Sequence, residues 1–436
     1  MSLELFAIIF LVGMFIIGSI FPVNIGVLGF VAAFVIGVLV SGMETKAVLG
    51  VFPADLFVLL TGITFMFSIV QKNGTIDLIA SWGLKLVRGN LGLIPWVVFF
   101  LGTTLAALGT SVVALASILA PLVLRLAYKF KINALMMGTL LIVGLTAGAF
   151  SPLNLFGLIV KGVLETRGLP HEPVILMVNV LLFCFVVGLI VFVVLGGIKN
   201  FKLSSKNVSD AQLRTAAAYA SDEEFGEEEN IFENVKLDWY KAATLIGIGV
   251  LIYMALFLEF HMGFSAFTIG LILAFMRPSL QTEVVKAIPW PVILMVTGIV
   301  TYVGVLDAIG SIDYMTDLIS GLNNSYVASL VASYTGGIIS SFASTTGFLA
   351  AIIPLVTPIL EDPTISSTGV VAAIAISSSI VDLSPFSTNG ALLLSNCKPS
   401  EERSFFRKLL VMSGIFIVIG PLAAWLLFVV VGVPWG

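Results

Sequence analysis

Apolar residues run through this chain in long blocks with short polar punctuation. A membrane-crossing helix takes roughly 20 apolar residues. By that measure the pattern predicts crossings near 3–22, 24–42, 53–70, 133–167, 173–198, 238–258, 263–277, 290–306, 366–396 and 405–433. Two further apolar stretches, 92–128 and 325–361, are about twice as long as one crossing. Their midpoints read Leu108-Gly-Thr-Ser111 and Phe342-Ala-Ser-Thr-Thr-Gly347. Each is either two crossings joined by a turn or a re-entrant hairpin whose tip stops midway. A turn in water would carry Asn, Asp or Lys, and neither tip holds a charge, which favours the buried tip.

One segment interrupts the apolar pattern. Between 199 and 236 the chain turns polar and acidic, centred on Asp222-Glu-Glu-Phe-Gly-Glu-Glu-Glu229. It reads as a solvated linker between two copies of one unit. Phe52-Pro53 through Thr61-Gly-Ile63 to Gly74-Thr-Ile-Asp77 returns as Ile288-Pro289 through Thr297-Gly-Ile299 to Gly310-Ser-Ile-Asp313, always 236 positions on. From the long stretches onward the offset is 233. It pairs Ser111 and Pro121 with Ser344 and Pro354, and Ser151, Pro152 and Gly157 with Ser384, Pro385 and Gly390. The domains expected are a first repeat over 1–198, the linker 199–236, and a second repeat over 237–436. Within the first repeat fall scaffold helices over 3–88, a hairpin over 92–128, a broken helix over 133–167 and a helix over 173–198. The second has its hairpin at 325–361 and its broken helix at 366–396.

Composition and charge place these elements. The chain is 59% hydrophobic and 11% charged, with a mean hydropathy of +1.13, whereas soluble domains carry about 25% charged residues. No basic, aromatic-interleaved patch suggests nucleic acid, and Cys184 and Cys397 imply no disulfide framework. The first apolar block reads as a retained helix, without the basic start of a signal peptide. If each crossing changes sides and each long stretch returns to its own side, 18 of the 21 Lys and Arg share one face. Only Lys46, Lys161 and Arg167 oppose them. The richer face is then cytoplasmic, which puts both termini outside and the 199–236 loop in the cytoplasm. Five crossings per repeat make the second copy inverted. The fold class expected is therefore an all-α polytopic membrane protein of two inverted repeats, each with five crossings (one a broken helix) and one re-entrant helical hairpin. Inverted repeats with interrupted helices are a common architecture of secondary transporters, whose sites lie near the midplane.

The candidate chemistry sits at four interruptions. Crossing 133–167 has Ser151-Pro-Leu-Asn154 at its middle, and Pro152 removes a donor and disfavours a helical residue before it. Crossing 366–396 repeats this at Ser384-Pro-Phe-Ser-Thr-Asn389, adding the carboxylate of Asp382. Broken helices leave free N–H and C=O groups that hold anions and cations respectively. An ionisable side chain at membrane depth is by default a functional hypothesis. Three readings of Asp382 stay open: a Na⁺ ligand, a proton carrier, or a structural cap. Its counterpart in the first copy is Ala149. Thr61-Gly-Ile63 and Thr297-Gly-Ile299 read as close helix packing. Gly74–Arg88 and Gly310–Leu322 read as short amphipathic helices. His171 and His261 read as surface residues without the company of a metal site, and Asp307, Asp313 and Asp317 as an exposed face.

These motifs resemble the ion transporter superfamily, which includes the divalent anion:sodium symporters and the malonate/dicarboxylate carriers. In the symporters a hairpin tip of Ser-Asn-Thr is followed ten residues after the serine by a proline. Here Ser111 precedes Pro121 and Ser344 precedes Pro354 by that spacing. The tips themselves read Ser111-Val-Val113 and Ser344-Thr-Thr346, closer to the glycine- and serine-rich tips of the malonate/dicarboxylate carriers. The resemblance implies a scaffold that forms a homodimer, a transport unit of hairpins and broken helices, elevator-like movement, and Na⁺ held between each tip and its neighbouring break.

The function expected is cation-coupled uptake, with Na⁺ as coupling ion, of a small organic anion, a dicarboxylate. The setting expected is a bacterial inner membrane, and no other cofactor is implied. Substrate-binding candidates are Thr110, Ser111, Ser344, Thr345, Thr346, Ser387, Thr388 and Asn389. Cation-binding candidates are Gly109, Ser151, Asn154, Asp382 and Ser384, and the helix breaks are set by Pro152, Gly157, Pro385 and Gly390. A proton-coupled carrier, a Na⁺/H⁺ antiporter and a passive channel are the alternatives. No His-Glu-x-x-His, paired membrane aspartates or Ser/His dyad supports an intramembrane enzyme.

Overall fold

The structure is a computed structural model that describes residues 2–21, 23–85, 91–166, 168–198, 236–258, 260–312, 314, 324–341 and 345–432. The linker segment 199–235, with Ser344, Asp313 and Asp317, lies outside the described residues, as does most of the second amphipathic stretch. Every regular element among the described residues is helical, with no strand. In chain order they are α1 (Leu3–Ile20), α2 (Ile25–Ala32, continued as a π-helix over Ala33–Val40), α3 (Thr45–Gly50), α4 (Ala54–Lys72) and α5 (Thr75–Lys85). Then follow α6 (Ile94–Ala107), α7 (Val112–Lys129), α8 (Ala134–Ala149), α9 (Leu155–Thr166) and α10 (Pro173–Val194). After the linker come α11 (Trp239–Phe257), α12 (Met262–Met276), α13 (Gln281–Ala287), α14 (Trp290–Ala308), α15 (Ser325–Ser340), α16 (Thr345–Leu355) and α17 (Thr357–Leu360). The chain closes with α18 (Ser367–Ser379), α19 (Thr388–Ser395) and α20 (Glu402–Trp425).

Among the described residues, six spans are long and apolar enough to cross a membrane, against the ten expected. They are α4, α7, α10, α14, the α18–α19 pair and α20 with its flanks. The other apolar helices run to 10–17 residues. Crossing 133–167 divides into α8 and α9, and α12 turns by 114° into the segment Pro278–Ala287.

Caps and bounds repeat down the chain. α4 and α14 lie 236 positions apart at both ends. Ser2 and Asp238, at the same separation, cap α1 and α11 by accepting a backbone N–H, satisfying one of the orphan donors of each helix start. In the later parts, Val112 and Thr345, Ala134 and Ser367, and Leu155 and Thr388 open helices 233 positions apart. Asn133 and Ser366 cap the middle pair.

Equivalent elements also exchange partners. α4 packs on α12, and α14 packs on α2. At the first crossing a Cβ on Gly62 would collide with the Gly263 carbonyl, and at the second a Cβ on Gly298 would collide with the Gly26 carbonyl. The two Thr-Gly-Ile stretches are thus packing sites where backbones touch, as small residues permit in membrane helices. Their hydroxyls bond within their own helices: Thr61 Oγ1 donates to Phe57 O at 2.7 Å and Thr297 Oγ1 to Ile293 O at 2.8 Å.

α8 and α18 are each buried on all sides beyond their first one or two residues. α8 packs on α6, α7 and α10, and α18 on α15 and α20. By contrast α10 exposes Leu182, Phe185, Val186, Leu189, Ile190 and Val193, apolar side chains suited to lipid.

Candidate functional site: two hairpin tips against two helix breaks

The first hairpin, α6 and α7, turns through Leu108–Ser111. Gly109 makes this turn possible: its φ is +96°, and a Cβ there would meet the Phe67 ring and the Leu153 carbonyl. The break between α8 and α9 is stitched to this tip by its own polar side chains. Ser151 Oγ donates to Ala107 O at 2.6 Å. Asn154 Nδ2 donates to Ala106 O at 2.7 Å and to Thr110 O at 2.9 Å. Ser151 Oγ also accepts from the Leu153 N–H at 3.0 Å, so the serine holds the loop after Pro152 while gripping the tip. Ser151, Asn154 and Thr110 are buried, whereas Ser111 opens α7 exposed and without a side-chain cap bond.

The second break repeats the frame with different chemistry. α18 ends at Ser379, a 3₁₀ turn covers Ile380–Leu383, and α19 starts at Thr388. Ser387 caps α19, accepting from the Gly390 N–H at 3.2 Å, and its hydroxyl is shared between the carbonyls of Asp382 and Ser384. Both glycines of the breaks serve a close approach: a Cβ on Gly157 would strike Ser151 O, and one on Gly390 would strike Ser384 O. The proline-bearing loop is folded over the following half-helix in each copy. Ser384 is buried, and its Oγ accepts from the Phe386 N–H at 3.3 Å.

Asp382 is buried and tied to the second hairpin. Thr345 Oγ1, at the start of α16, donates to Asp382 Oδ1 at 2.8 Å. The same hydroxyl lies 2.6 Å from Ser340 Oγ, at the end of α15, and 3.3 Å from Ser378 O. The expected candidates Thr345 and Asp382 therefore meet, and Thr345 bonds to the break. Thr346 and Asn389 are buried, Thr388 is exposed, and the Asn389 amide oxygen has no hydrogen-bond partner among the described residues.

The halves interlock here too. α7 packs on α19, α16 packs on α9, and α8 touches the 380–383 turn. Ser340 had no sequence signal beyond being a serine near a glycine pair, and the carbonyls of Ala106 and Ala107 had none.

His261 is a part-exposed residue with structural partners. It caps α12, with Nδ1 accepting from the Phe264 N–H at 3.3 Å, and its Nε2 lies 2.7 Å from Asp55 Oδ1. The equivalent corner of the other copy uses Asn24, which caps α2 and donates to Pro291 O at 2.7 Å. His171 is also partly enclosed, lining a small cavity with Leu164, Leu176, Leu360 and Val371. Burial, reinforced by Lys161, lowers its pKa to about 4. Asp307 is exposed.

A chain whose regular elements among the described residues are all helical, with several apolar spans, reads as an integral membrane protein. The family described as dicarboxylate carrier protein MatC N-terminus matches residues 1–149. Over that part the match bears out the resemblance to the malonate/dicarboxylate carriers, and it points to a transporter rather than an enzyme. No curated protein matches the chain. Family match and helix pattern together support a transporter of a dicarboxylate, a small organic anion.

Proposed function

We propose that the chain is a secondary active transporter that takes up a dicarboxylate together with Na⁺ by elevator-type alternating access. Two inverted repeats of five crossings and a re-entrant hairpin form it, with both termini outside and the linker in the cytoplasm of a bacterial inner membrane. It works as a homodimer held by its scaffold helices. The observation that carries the reading is the reciprocal packing of α7 on α19 and of α16 on α9, which gathers both hairpins and both breaks into one unit. One arm of each hairpin is short: at 1.5 Å per residue, α6 and α16 span about 21 Å and about 16 Å, less than a hydrocarbon core of about 30 Å, whereas α7 is long enough to cross.

Neither tip nor break carries Arg or Lys among the described residues. A dianion here is balanced by bound cation, by the N-termini of α7, α9, α16 and α19, and by hydroxyls. Cation bound first makes the site electropositive, so transport is coupled without a fixed positive side chain. Ser151, Asn154, Asp382, Ser384 and the Gly109 turn serve the cations. Thr110, Ser111, Ser344, Thr346, Ser387, Thr388 and the unpartnered Asn389 serve the anion, with Thr345 between the two sets. Uptake of radiolabelled succinate or malonate into proteoliposomes should rise several-fold under an inward Na⁺ gradient. Equal uptake with and without the gradient, at fixed pH and voltage, would sink sodium coupling. A second reading, H⁺ in place of Na⁺, is favoured by one observation, the buried Asp382 carboxylate held by a hydroxyl. Uptake driven by an inward pH gradient alone, and lost in Asp382→Asn, would select it.

A further inference from the structure

The two breaks differ in what reaches solvent. In the first, Leu153 and Phe156 are buried, and the Leu153 carbonyl lies against the Gly109 turn. In the second, Phe386 is 57% exposed, and Thr388 is exposed as well. Phe386 and Ser387 lie between helices. Irregular backbone does not face lipid within a membrane; it is tolerated there only against protein or water. The exposed edge of the second break therefore opens on an aqueous mouth.

One wall of this mouth is the start of α20. The Phe386 and Phe406 rings meet edge to face, centroids 6.0 Å apart at 85°, and the 380–383 turn and α19 both pack on α20. Residues three and four apart are neighbours on a helix, so Arg403, Phe406, Arg407 and Leu410 share one face. Phe405 and Leu409 occupy the buried one. Arg403 and Arg407 are exposed and lie within about 8 Å of the helix start at 1.5 Å per residue. Local physics disfavours them there: like charges four apart repel, and cations in the first turns oppose the helix dipole. An anion between the two relieves both effects. Lys398 is engaged elsewhere, over the Tyr128 ring at 5.2 Å, and Glu401 and Glu402 are the acids of this end. Positions 233 earlier hold Pro170 and Val174, so the first repeat lacks the pair.

We propose that Arg403 and Arg407 form an oxyanion site at the mouth of the second break, a waypoint for a carboxylate of the dicarboxylate on the membrane face richer in Lys and Arg. Guanidinium groups suit carboxylate and phosphate alike, so a lipid headgroup is the other source of such a ligand. The pair draws the dianion to the mouth, and the uncharged break takes it over beside Phe386 and Thr388. This deepens the transporter reading and rests on it for its role, but anion binding by the pair is measurable without transport.

The test compares the wild type with Arg403→Gln/Arg407→Gln, using radiolabelled succinate. Inside-out membrane vesicles present the Lys- and Arg-rich face to the medium, and whole cells present the other. In inside-out vesicles the double variant should raise the half-saturating succinate concentration about tenfold, the equilibrium equivalent of one charge-assisted hydrogen bond. It should also lose most of the wild type's sensitivity to added salt, which screens exposed charges. Arg403→Lys/Arg407→Lys should keep that sensitivity, and whole cells should show no shift. Equal shifts on the two faces, a shift confined to whole cells, or unchanged salt sensitivity in the glutamine variant overturns the proposal. A second arm measures succinate binding to the purified full chain in vesicles of phosphatidylcholine, with and without phosphatidylglycerol. Weaker binding by the glutamine variant in phosphatidylcholine alone supports the site. Equal binding there, with a difference only when phosphatidylglycerol is present, assigns the pair to lipid and overturns it. If binding in phosphatidylcholine falls in the variant but the wild type moves no succinate, the anion site stands and the transport reading falls.

Discussion

Replacing Asn154 by alanine removes a single side chain that holds both sides of the first hairpin tip. Its amide donates to Ala106 O and Thr110 O at 2.7 and 2.9 Å, and the residue is 1% exposed, so water does not take over. The two acceptors suffer unequally. Ala106 O still receives the Gly109 N–H at 2.8 Å, so its loss is one net hydrogen bond, about 1 kcal/mol. Thr110 O loses a buried donor, at a cost of about 1–3 kcal/mol. The sum is about 2–4 kcal/mol, which for a chain of this size is a fall in melting temperature of about 2–4 °C. Fluorescence-detected size-exclusion chromatography after heating reads this directly. Ser117→Ala is the matched control, since that exposed hydroxyl bonds only to Ala114 O in its own helix. A shift for Asn154→Ala no larger than that of Ser117→Ala would refute the stitch between break and tip.

Other outcomes follow from the same contacts. Gly62→Val and Gly298→Val press a side chain into a backbone carbonyl of the other repeat. Each should cost at least the roughly 1–3 kcal/mol of an overpacked core, seen as loss of the monodisperse peak. His261→Ala should lose about 1 kcal/mol through its cap, with His261→Asn recovering most of it, as Asn24 serves the other copy. Hydrogen bonds from Ser325 and from Thr364 hold the Asp362 carboxyl below its ordinary value. Its contribution is full above the usual Asp range and vanishes as pH falls through the depressed value, so an acid-unfolding curve followed by tryptophan fluorescence should lack that step in Asp362→Asn. For His171, at about 4, the unfolded chain binds the proton more readily, so stability falls as pH drops from about 6.5 toward 4. His171→Leu should flatten that interval in a thermal melt.

The breaks are legible because they use residues whose effect is local. Pro152 and Pro385 each remove a helix donor beside a serine and short of a second helix start, unlike Pro121, Pro354 and Pro421, which sit inside helices, and Gly157 and Gly390 follow five residues on. The hairpins are legible in outline, since an uncharged tip of small residues midway along an apolar stretch suits a buried turn better than one in water. What the sequence hides is which partner each polar group chooses. Thr345 reads as a ligand for an anion, yet its hydroxyl is engaged by Asp382 and Ser340, a pairing that depends on how α15, α16 and α18 stack. His261 and Asp55 are 206 positions apart, and no spacing links them. Asn154 was visible as a polar residue in a break, while the carbonyls it grips belong to backbone, which carries no letter of its own.

The glycine crossings bear on how such a chain arose and how it can be cut. Residue 62 meets 263 while 298 meets 26, which is the self-complementary pattern of an isologous dimer written into one polypeptide. Neither half can complete these two crossings alone, because the notches at Gly62 and Gly298 are each filled from across the linker. Two genes encoding 1–198 and 237–436 should therefore be useless apart and reassemble when co-expressed. A change that fills one notch would call for a compensating change in the other half, so the two copies are free to diverge at Asp382 and Ala149 but not where their backbones touch.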